Sequence, residues 1–143
     1  MVNYKHILIS SINQINMINQ KLVKNLQVQI TENKNDINNI KRKVLWSNPD
    51  HTSSFPAQTI TLSESLNNYE YYEIIFKQST TNERNMTSGK IPVGHGTILS
   101  YANSLRATSS TVGGTTFAFE NASDNGNANS GSIIPIYIIG YKA

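Results

Sequence analysis

The three histidines of this sequence, His6, His51 and His95, have the widest range of possible chemistry, from metal binding to proton transfer. They lie in different segments, without the close spacing of a metal pair or a catalytic dyad. His95 lies between Gly94 and Gly96, so we expect an exposed loop residue. It could form a metal or proton site only as a ring of three copies around a symmetry axis. No metal-binding or catalytic histidine is therefore predicted.

Carboxylates offer a second route to catalysis, because two of them can share the acid/base work of glycoside hydrolysis. Glu70 and Glu73 are three residues apart in an apparent strand, so their side chains point to opposite faces. A hydrolase would need an active site between subunits, with two carboxylates about 5–10 Å apart in a cleft, drawn from Glu70, Glu73, Glu120 and Asp124. The sequence has no cysteine, and it lacks the GxSxG, P-loop, HExxH and EF-hand motifs. We predict a non-enzymatic protein without a cofactor, and a glycan depolymerase is the least favoured alternative.

The N-terminal segment is predicted to be one long helix. From about residue 3 to residue 44 there is no Gly or Pro, and apolar residues recur three and four positions apart. A heptad frame from residue 8 to residue 26 joins a second frame through a four-residue stutter. The a and d positions of the second frame are Val23, Leu26, Ile30, Asn33, Ile37, Ile40 and Val44. Residues 1–45 are therefore predicted to be a coiled-coil stalk.

The length of this helix predicts an oligomer. About 42 residues span roughly 63 Å, and a domain of about 100 residues is too small to bury an apolar stripe of that length. Isoleucine at both a and d positions favours three or four strands over two. Asn33, a polar residue in the seam, would fix the register at some cost in stability. We predict a parallel homotrimer.

The hydrophobic period changes to two after Trp46, where residues 47–50 form a turn-rich break. Strands are predicted at residues 58–62, 69–77, 90–92, 97–101, 104–111, 115–120 and 133–142. Tyr72, Ile74 and Phe76 are predicted to face the core, and Tyr69 and Tyr71 to point to the opposite side. Residues 46–143 should form an antiparallel β-sandwich tip of jelly-roll type. The predicted fold class is mainly β, with a long N-terminal helix.

Two segments of the tip could contact a partner. Residues 133–141 are apolar on both faces, which predicts a second layer or a subunit interface, with Pro135 at an edge or a bulge. Residues 121–132 (NASDNGNANSGS) read as a long polar loop, and a recognition loop and a flexible connector are equally favoured. The predicted receptor contacts are Tyr69, Tyr71, Asn121, Asp124, Asn125 and Asn127.

The charge distribution argues against some partners. Residues 1–46 contain seven Lys or Arg and two acids, whereas residues 47–143 contain five and seven. Nucleic-acid-binding modules usually concentrate basic residues on the folded domain, so no nucleic-acid partner is predicted. The apolar run at residues 7–9 is too short for a membrane span or a signal peptide. We predict neither membrane insertion nor a targeting segment.

Three segments resemble a known family: VLWS at 44–47, TITLSESLNNY at 59–69 and IYIIGYK at 136–142. They are similar to the C-terminal tip domains of tail-fibre and baseplate minor structural proteins from phages of low-GC Gram-positive bacteria. The resemblance implies a receptor-binding tip at the distal end of a virion tail, attached to an upstream fibre or baseplate protein. It implies a host cell-surface saccharide, or another receptor, as partner. The chain would then be the distal part of a longer fibre, and a purely structural trimerisation module is the main alternative.

Overall fold

The computed structural model describes residues 3–38, 41–109 and 114–142, and the chain divides into two compact units, Met1–Ile40 and Lys41–Ala143. The first unit contains one helix, α1 (Tyr4–Asn38). Asn3 caps it, because its side-chain oxygen accepts hydrogen bonds from the backbone N–H groups of Lys5 and His6 at 3.2 and 3.4 Å. No helix in the described residues is long and apolar enough to span a membrane.

The second unit, which we call the β unit, is built from strands. In chain order they are β1 (Arg42–Ser47), β2 (Gln58–Thr61), β3 (Tyr71–Ser79), β4 (Met86–Thr87), β5 (Ile91–Pro92), β6 (Ile98–Tyr101), β7 (Ser104–Thr108), β8 (Thr116–Asp124), β9 (Asn127–Ala128) and β10 (Ser132–Tyr141). A short 3₁₀ turn, Leu66–Asn68, precedes β3.

The strands form two antiparallel sheets. In the first sheet the order is β1, β10, β3 and β4, and β5 also pairs with β3. In the second the order is β2, β8, β7 and β6, and β9 also pairs with β8. The protein is therefore mainly β with one long N-terminal helix, which agrees with the coarse fold prediction and is consistent with a β-sandwich.

The helix ends earlier than its heptad pattern predicts. Arg42–Ser47 is a strand of the β unit, and it pairs with β10 so that Val44 lies opposite Ile139. The boundary between the units falls between residues 40 and 41, and the predicted boundary after residue 45 is wrong. The assignment of Val44 to the coiled-coil seam is wrong for the same reason: strand pairing overrides the 3-4 spacing. Ile40, also assigned to the seam, lies outside the described residues.

The two sheets share one hydrophobic core. Tyr72, Ile74 and Phe76 of β3 are buried in it, which confirms their predicted orientation. The rings of Tyr72 and Phe117 meet edge to face at 5.5 Å between centroids, and this contact joins the first sheet to the second. Aromatic pairs of this geometry add about 0.5–1.5 kcal/mol beyond their buried area.

Strand β10 explains the apolar run at residues 133–141. It is a central strand between β1 and β3, and Ile138 and Ile139 are both buried although successive residues of a strand point to opposite faces. The second sheet supplies the predicted second layer on the core side, where Ile138 belongs to the core. The register with β3 shifts between Pro135 and Tyr137, which agrees with the predicted bulge at Pro135. The alternative prediction, an edge position, is wrong because β10 is a central strand.

Arg106 is a charged residue inside the β unit. It extends from β7, is fully buried and donates hydrogen bonds to four backbone carbonyls. The acceptors, with their distances, are Ile133 (2.8 Å), Glu120 (2.6 Å), Phe55 (2.6 Å) and Ser132 (3.2 Å). Burial lowers the pKa of Arg106 to about 10, so the guanidinium stays protonated at neutral pH. This side chain links strands of both sheets to the segment before β2.

Gly140 allows β10 to approach Tyr69 closely. A Cβ at position 140 would lie 2.7 Å from Cγ and Cδ1 of the Tyr69 ring, and Cγ lies too near the backbone to swing away. We expect Gly140→Ala to lower the free energy of unfolding by about 1–3 kcal/mol, measured by urea denaturation. In a Tyr69→Ala background the same change should cost much less, because the contact is gone. An equal cost in both backgrounds would contradict this explanation.

Candidate functional site

The apolar stripe of α1 is the first candidate for a functional surface. We call it the heptad stripe and define it as Val23, Leu26, Ile30, Asn33 and Ile37. Leu26, Ile30 and Ile37 are 49%, 53% and 65% exposed, although each would be an ordinary core residue in a globular domain. Their spacing places them along one side of the helix. Exposed apolar rows of this kind mark interaction surfaces.

The predicted recognition loop at residues 121–132 is instead largely a β-hairpin. Strand β8 continues to Asp124, and the chain turns at Asn125 and Gly126 before it returns as β9. Asn125 and Gly126 both have positive φ, 50° and 80°, as a two-residue type I′ turn requires. The Asn-Gly dipeptide is a strong hairpin signal, and the prediction of a twelve-residue loop missed it.

The predicted contact residues of this hairpin differ in their surroundings. Asn121, Asn125 and Asn127 are exposed. Asp124 is half-buried, and it accepts hydrogen bonds from the Ser104 hydroxyl at 3.0 Å and the Asn125 amide at 3.3 Å. Asp124, Asn125 and Asn127 lie together at the turn of this hairpin, whereas Asn121 lies three residues earlier in β8. Asp124 is already engaged within the chain.

The two tyrosines that are predicted as receptor contacts do not share a face. Tyr71 is 40% exposed on the outer side of β3, whereas Tyr69 precedes the strand and its ring is buried in the core. The Tyr69 hydroxyl donates a hydrogen bond to Glu64, and Glu64 also forms an ion pair with Lys43 at 3.2 Å. These two contacts lower the pKa of Glu64. The predicted outward orientation of Tyr69 is therefore wrong.

Glu73 has a similar environment on the outer side of the first sheet. Its carboxylate accepts hydrogen bonds from the hydroxyls of Thr87 and Tyr141. Partial burial raises the pKa of Glu73, but these hydrogen bonds, together with Arg42 and Lys90, lower it more. The net pKa lies below the ordinary value of 4.5. The contacts indicate that Glu73 stabilises the fold in its ionised form.

Glu64 and Glu73 predict that the β unit loses stability in acid. Their pKa values are lower in the folded than in the unfolded chain, so they stabilise the fold above the ordinary value of 4.5 and cease to do so as pH falls through the folded pKa. The free energy of unfolding should be lower at about pH 3 than at about pH 6. Glu73→Gln should reduce this difference, in urea denaturation at both pH values. The same change at exposed Glu83 is the control, and an equal effect there would contradict the assignment.

A cleft of about 570 Å³ opens on the β unit beside the connection from β3 to β4. We call it the β3–β4 cleft. Its lining consists of His51, Thr52, Lys77, Thr80, Thr81, Asn82, Glu83, Asn85, Ile136 and Tyr137. The volume lies in the range of small-molecule sites, about 300–1,000 Å³. None of these residues is among the predicted receptor contacts, because the strand patterns do not show which connections meet in space.

The connection that forms one wall of the cleft is shaped by its own hydrogen bonds. The Asn82 side chain donates to Gln78 at 3.3 Å and accepts from the Arg84 backbone N–H at 2.8 Å. The Lys77 ammonium donates to the Thr80 carbonyl oxygen at 3.0 Å. These contacts fix the backbone of the wall, whereas Glu83 and Asn85 remain exposed.

The chemistry of the cleft suits a polar ligand with one apolar face. Tyr137 is 39% exposed and offers an aromatic ring, and side chains with hydroxyl and amide groups line the same cleft. A sugar presents the same combination, since its C–H face stacks on aromatic rings while its hydroxyls form hydrogen bonds. The arrangement can therefore bind a saccharide.

A smaller groove of about 440 Å³ includes Trp46 and Asp50 in its lining. Asp50 accepts hydrogen bonds from the Thr52 backbone and from the hydroxyls of Thr52 and Ser53. The Ser53 and Thr52 contacts lower the pKa of Asp50 to about 2. The carboxylate oxygens of Asp50 already accept the hydrogen bonds that close a turn. This groove is therefore the weaker candidate for a ligand site.

The three histidines lie in different parts of the structure, and His6 belongs to α1. His51 belongs to the β3–β4 cleft, and the His95 backbone carbonyl accepts a hydrogen bond from Tyr72 at 2.6 Å. Within the described ranges, no three His, Asp or Glu side chains are placed to hold a metal ion together.

The chain matches none of the models of known protein families, and it matches none of the curated proteins.

Proposed function

We propose that this chain is the non-enzymatic, adhesive tip of a homotrimeric fibre, in which a coiled coil presents three β units to a surface saccharide. The observation that carries the proposal is the exposed heptad stripe of α1. A helix of 35 residues is about 50 Å long, and burial of each Leu or Ile of its stripe is worth about 1.5–3 kcal/mol.

Copies of the same helix are the best-suited partners for this stripe. The spacing of three and four residues is the pattern that buries a and d side chains between parallel helices, and isoleucine at Ile30 and Ile37 favours more than two strands. Asn33 lies between them and would face its symmetry mates, which sets the register. A trimer is the smallest assembly that meets these preferences.

The β3–β4 cleft supports the adhesive part of the proposal. One shallow saccharide site binds weakly, but three sites on one stalk act together once the first is occupied. Avidity of this kind requires no catalytic group and suits a dense glycan surface.

The resemblance of residues 44–47, 59–69 and 136–142 to phage tail-tip domains supports a location for the fibre. We propose that the chain lies at the distal end of a phage tail and attaches to an upstream fibre or baseplate protein. The jelly-roll strand order belongs to the same proposal.

A purely structural role, in which the β unit only registers a longer fibre, is the second candidate. The heptad stripe supports it as strongly as it supports adhesion. The two functions differ in the β3–β4 cleft, which a structural module would not use. Binding of saccharides therefore separates them.

Binding to a dense saccharide surface tests adhesion and valency together. The intact chain should be compared with Ile30→Glu, which places an acid in the heptad stripe. The control is Val28→Glu, which places an acid at heptad position f, away from the a and d positions of the stripe. We expect Ile30→Glu to weaken surface binding by about 100-fold and to leave the affinity for the free sugar unchanged. Val28→Glu should behave as the parent chain. Absence of saccharide binding by the parent would support the structural role instead.

A further inference from the structure

We infer that the β3–β4 cleft binds the anionic group of a saccharide, a carboxylate or a phosphate, through the ammonium of Lys77. The inference rests on the proposed function, because it names the ligand class of the adhesive β unit. Recognition of an anionic group is nevertheless a separate claim, since a neutral saccharide could also bind in this cleft.

Lys77 is a deeply buried lysine whose ammonium has no carboxylate partner among the described residues. The residue is 5% exposed, and its ammonium donates one hydrogen bond, to the Thr80 carbonyl. No carboxylate lies within 4.0 Å of this nitrogen in the parts of the chain that the structure describes. A lysine so deeply buried is normally paired, because a desolvated charge is costly. An ammonium has three donors, so two are available for an anion.

The position of Lys77 on its strand places it at the β3–β4 cleft rather than in the core. Tyr72, Ile74 and Phe76 alternate toward the core, so Lys77 extends from the opposite, outer face of β3. There it lines the same cleft as Tyr137. A sugar stacked on Tyr137 would place a carboxylate or phosphate substituent beside Lys77.

The other polar groups of the cleft fit the uncharged part of such a ligand. Asn85 is exposed, and its side chain forms no hydrogen bond with the described residues. The exposed Thr52 and His51 lie in the lining as further partners for sugar hydroxyls. Lys77 would thus provide the charge recognition and these residues the hydrogen bonds to the ring.

Glu83 is the acid of this lining and would repel an anion. It is exposed, whereas Lys77 is buried, so solvent screens the repulsion more than the attraction. The two residues therefore give changes of opposite sign: removal of the Lys77 charge weakens an anionic ligand, and removal of the Glu83 charge strengthens it. A site for neutral sugars would show neither effect.

The test is a titration of the intact chain, followed by ¹⁵N NMR, with glucuronate, glucose 6-phosphate, inorganic phosphate and methyl glucoside. Glucuronate and glucose 6-phosphate separate a carboxylate from a phosphate ligand, and inorganic phosphate probes the charge alone. We expect at least one anionic sugar to shift the signals of the cleft and to bind about tenfold or more tightly than methyl glucoside.

Four variants complete the test. Lys77→Met should weaken the anionic sugar about tenfold or more and leave methyl glucoside unchanged, Lys77→Arg should retain binding, and Glu83→Gln should strengthen it. Lys90→Met, at an exposed lysine outside the cleft, should behave as the parent. Equal affinity for charged and neutral sugars, or an unchanged affinity in Lys77→Met, would overturn the inference and leave adhesion standing. If no saccharide bound at any site, the proposed function itself would fail.

Discussion

Arg106→Met is expected to lower the free energy of unfolding of the β unit by about 4 kcal/mol or more. The substitution preserves much of the side-chain volume, so a cavity contributes little to the loss. It removes the donors to four carbonyls, and each buried carbonyl left without a partner costs about 1–3 kcal/mol. A domain of this size is typically stable by about 5–15 kcal/mol, so the variant would be close to unfolding.

One of these carbonyls belongs to Ile133. The backbone conformation of Ile133 makes the loss of its hydrogen bond from Arg106 more costly. Ile133 has φ of 46°, a left-handed conformation that a β-branched residue rarely adopts. The Arg106 hydrogen bond to its oxygen and the burial of its side chain hold the residue there. Without Arg106 the start of β10 is expected to relax.

Urea denaturation followed by Trp46 fluorescence measures this effect, since Trp46 is the single tryptophan and packs against the core. Arg84→Met is the matched control, because Arg84 is exposed and, among the described residues, only its backbone N–H takes part in a hydrogen bond. Arg106→Lys should fall between the two, as one ammonium cannot reach all four oxygens. Equal stability of Arg106→Met and Arg84→Met would contradict the role of Arg106.

Paired glutamates in the heptad stripe are expected to abolish most of the helical circular dichroism at 222 nm. Leu26→Glu with Ile30→Glu would place six carboxylates around the axis of a trimer, where each costs several kcal/mol. The free helix gains little from its own composition, because Asn residues favour caps and turns over helix interiors. Helices in proteins depend mainly on packing of their apolar face. Loss of the trimer should therefore melt α1.

Val28→Glu provides the matched control for this prediction. Val28 occupies an f position, and it is 50% exposed, much like Leu26 and Ile30. The same apolar-to-acid change at this position should leave the helical signal unchanged. Fluorescence of Trp46 should stay native in all of these variants, since the β unit has its own core. A helical signal that survives the paired change would show that α1 does not depend on the stripe.

Much of the fold could be predicted from the sequence, because hydrophobic period reports local structure. The period of 3.5 indicates α1, and the alternation of Tyr72, Ile74 and Phe76 gives the inner face of β3. Val44 shows where this reasoning fails. It continues the heptad spacing, but its segment pairs with β10 at the far end of the chain, and such long-range pairing leaves no local signal.

The candidate site could be predicted less well, for a related reason. Arg106 lies in a strand in which polar and apolar residues alternate. This alternation alone does not reveal that the side chain of Arg106 faces the interior of the β unit. Its acceptors at Glu120, Ile133 and Phe55 are 14, 27 and 51 residues away in sequence. The β3–β4 cleft likewise combines residues near 51, 80 and 137, which only the folded sheet brings together. The hairpin at Asn125 could have been predicted from the sequence, since its Asn-Gly signal is local.

The solution mass of the intact chain, measured by light scattering after size-exclusion chromatography, tests the central claim most directly. The claim is that the heptad stripe assembles three chains, so that three β units act together. We predict a mass three times the 15.9 kDa of one chain, independent of concentration well above the dissociation constant. A mass equal to a single chain under the same conditions would contradict the coiled coil and, with it, the proposed fibre.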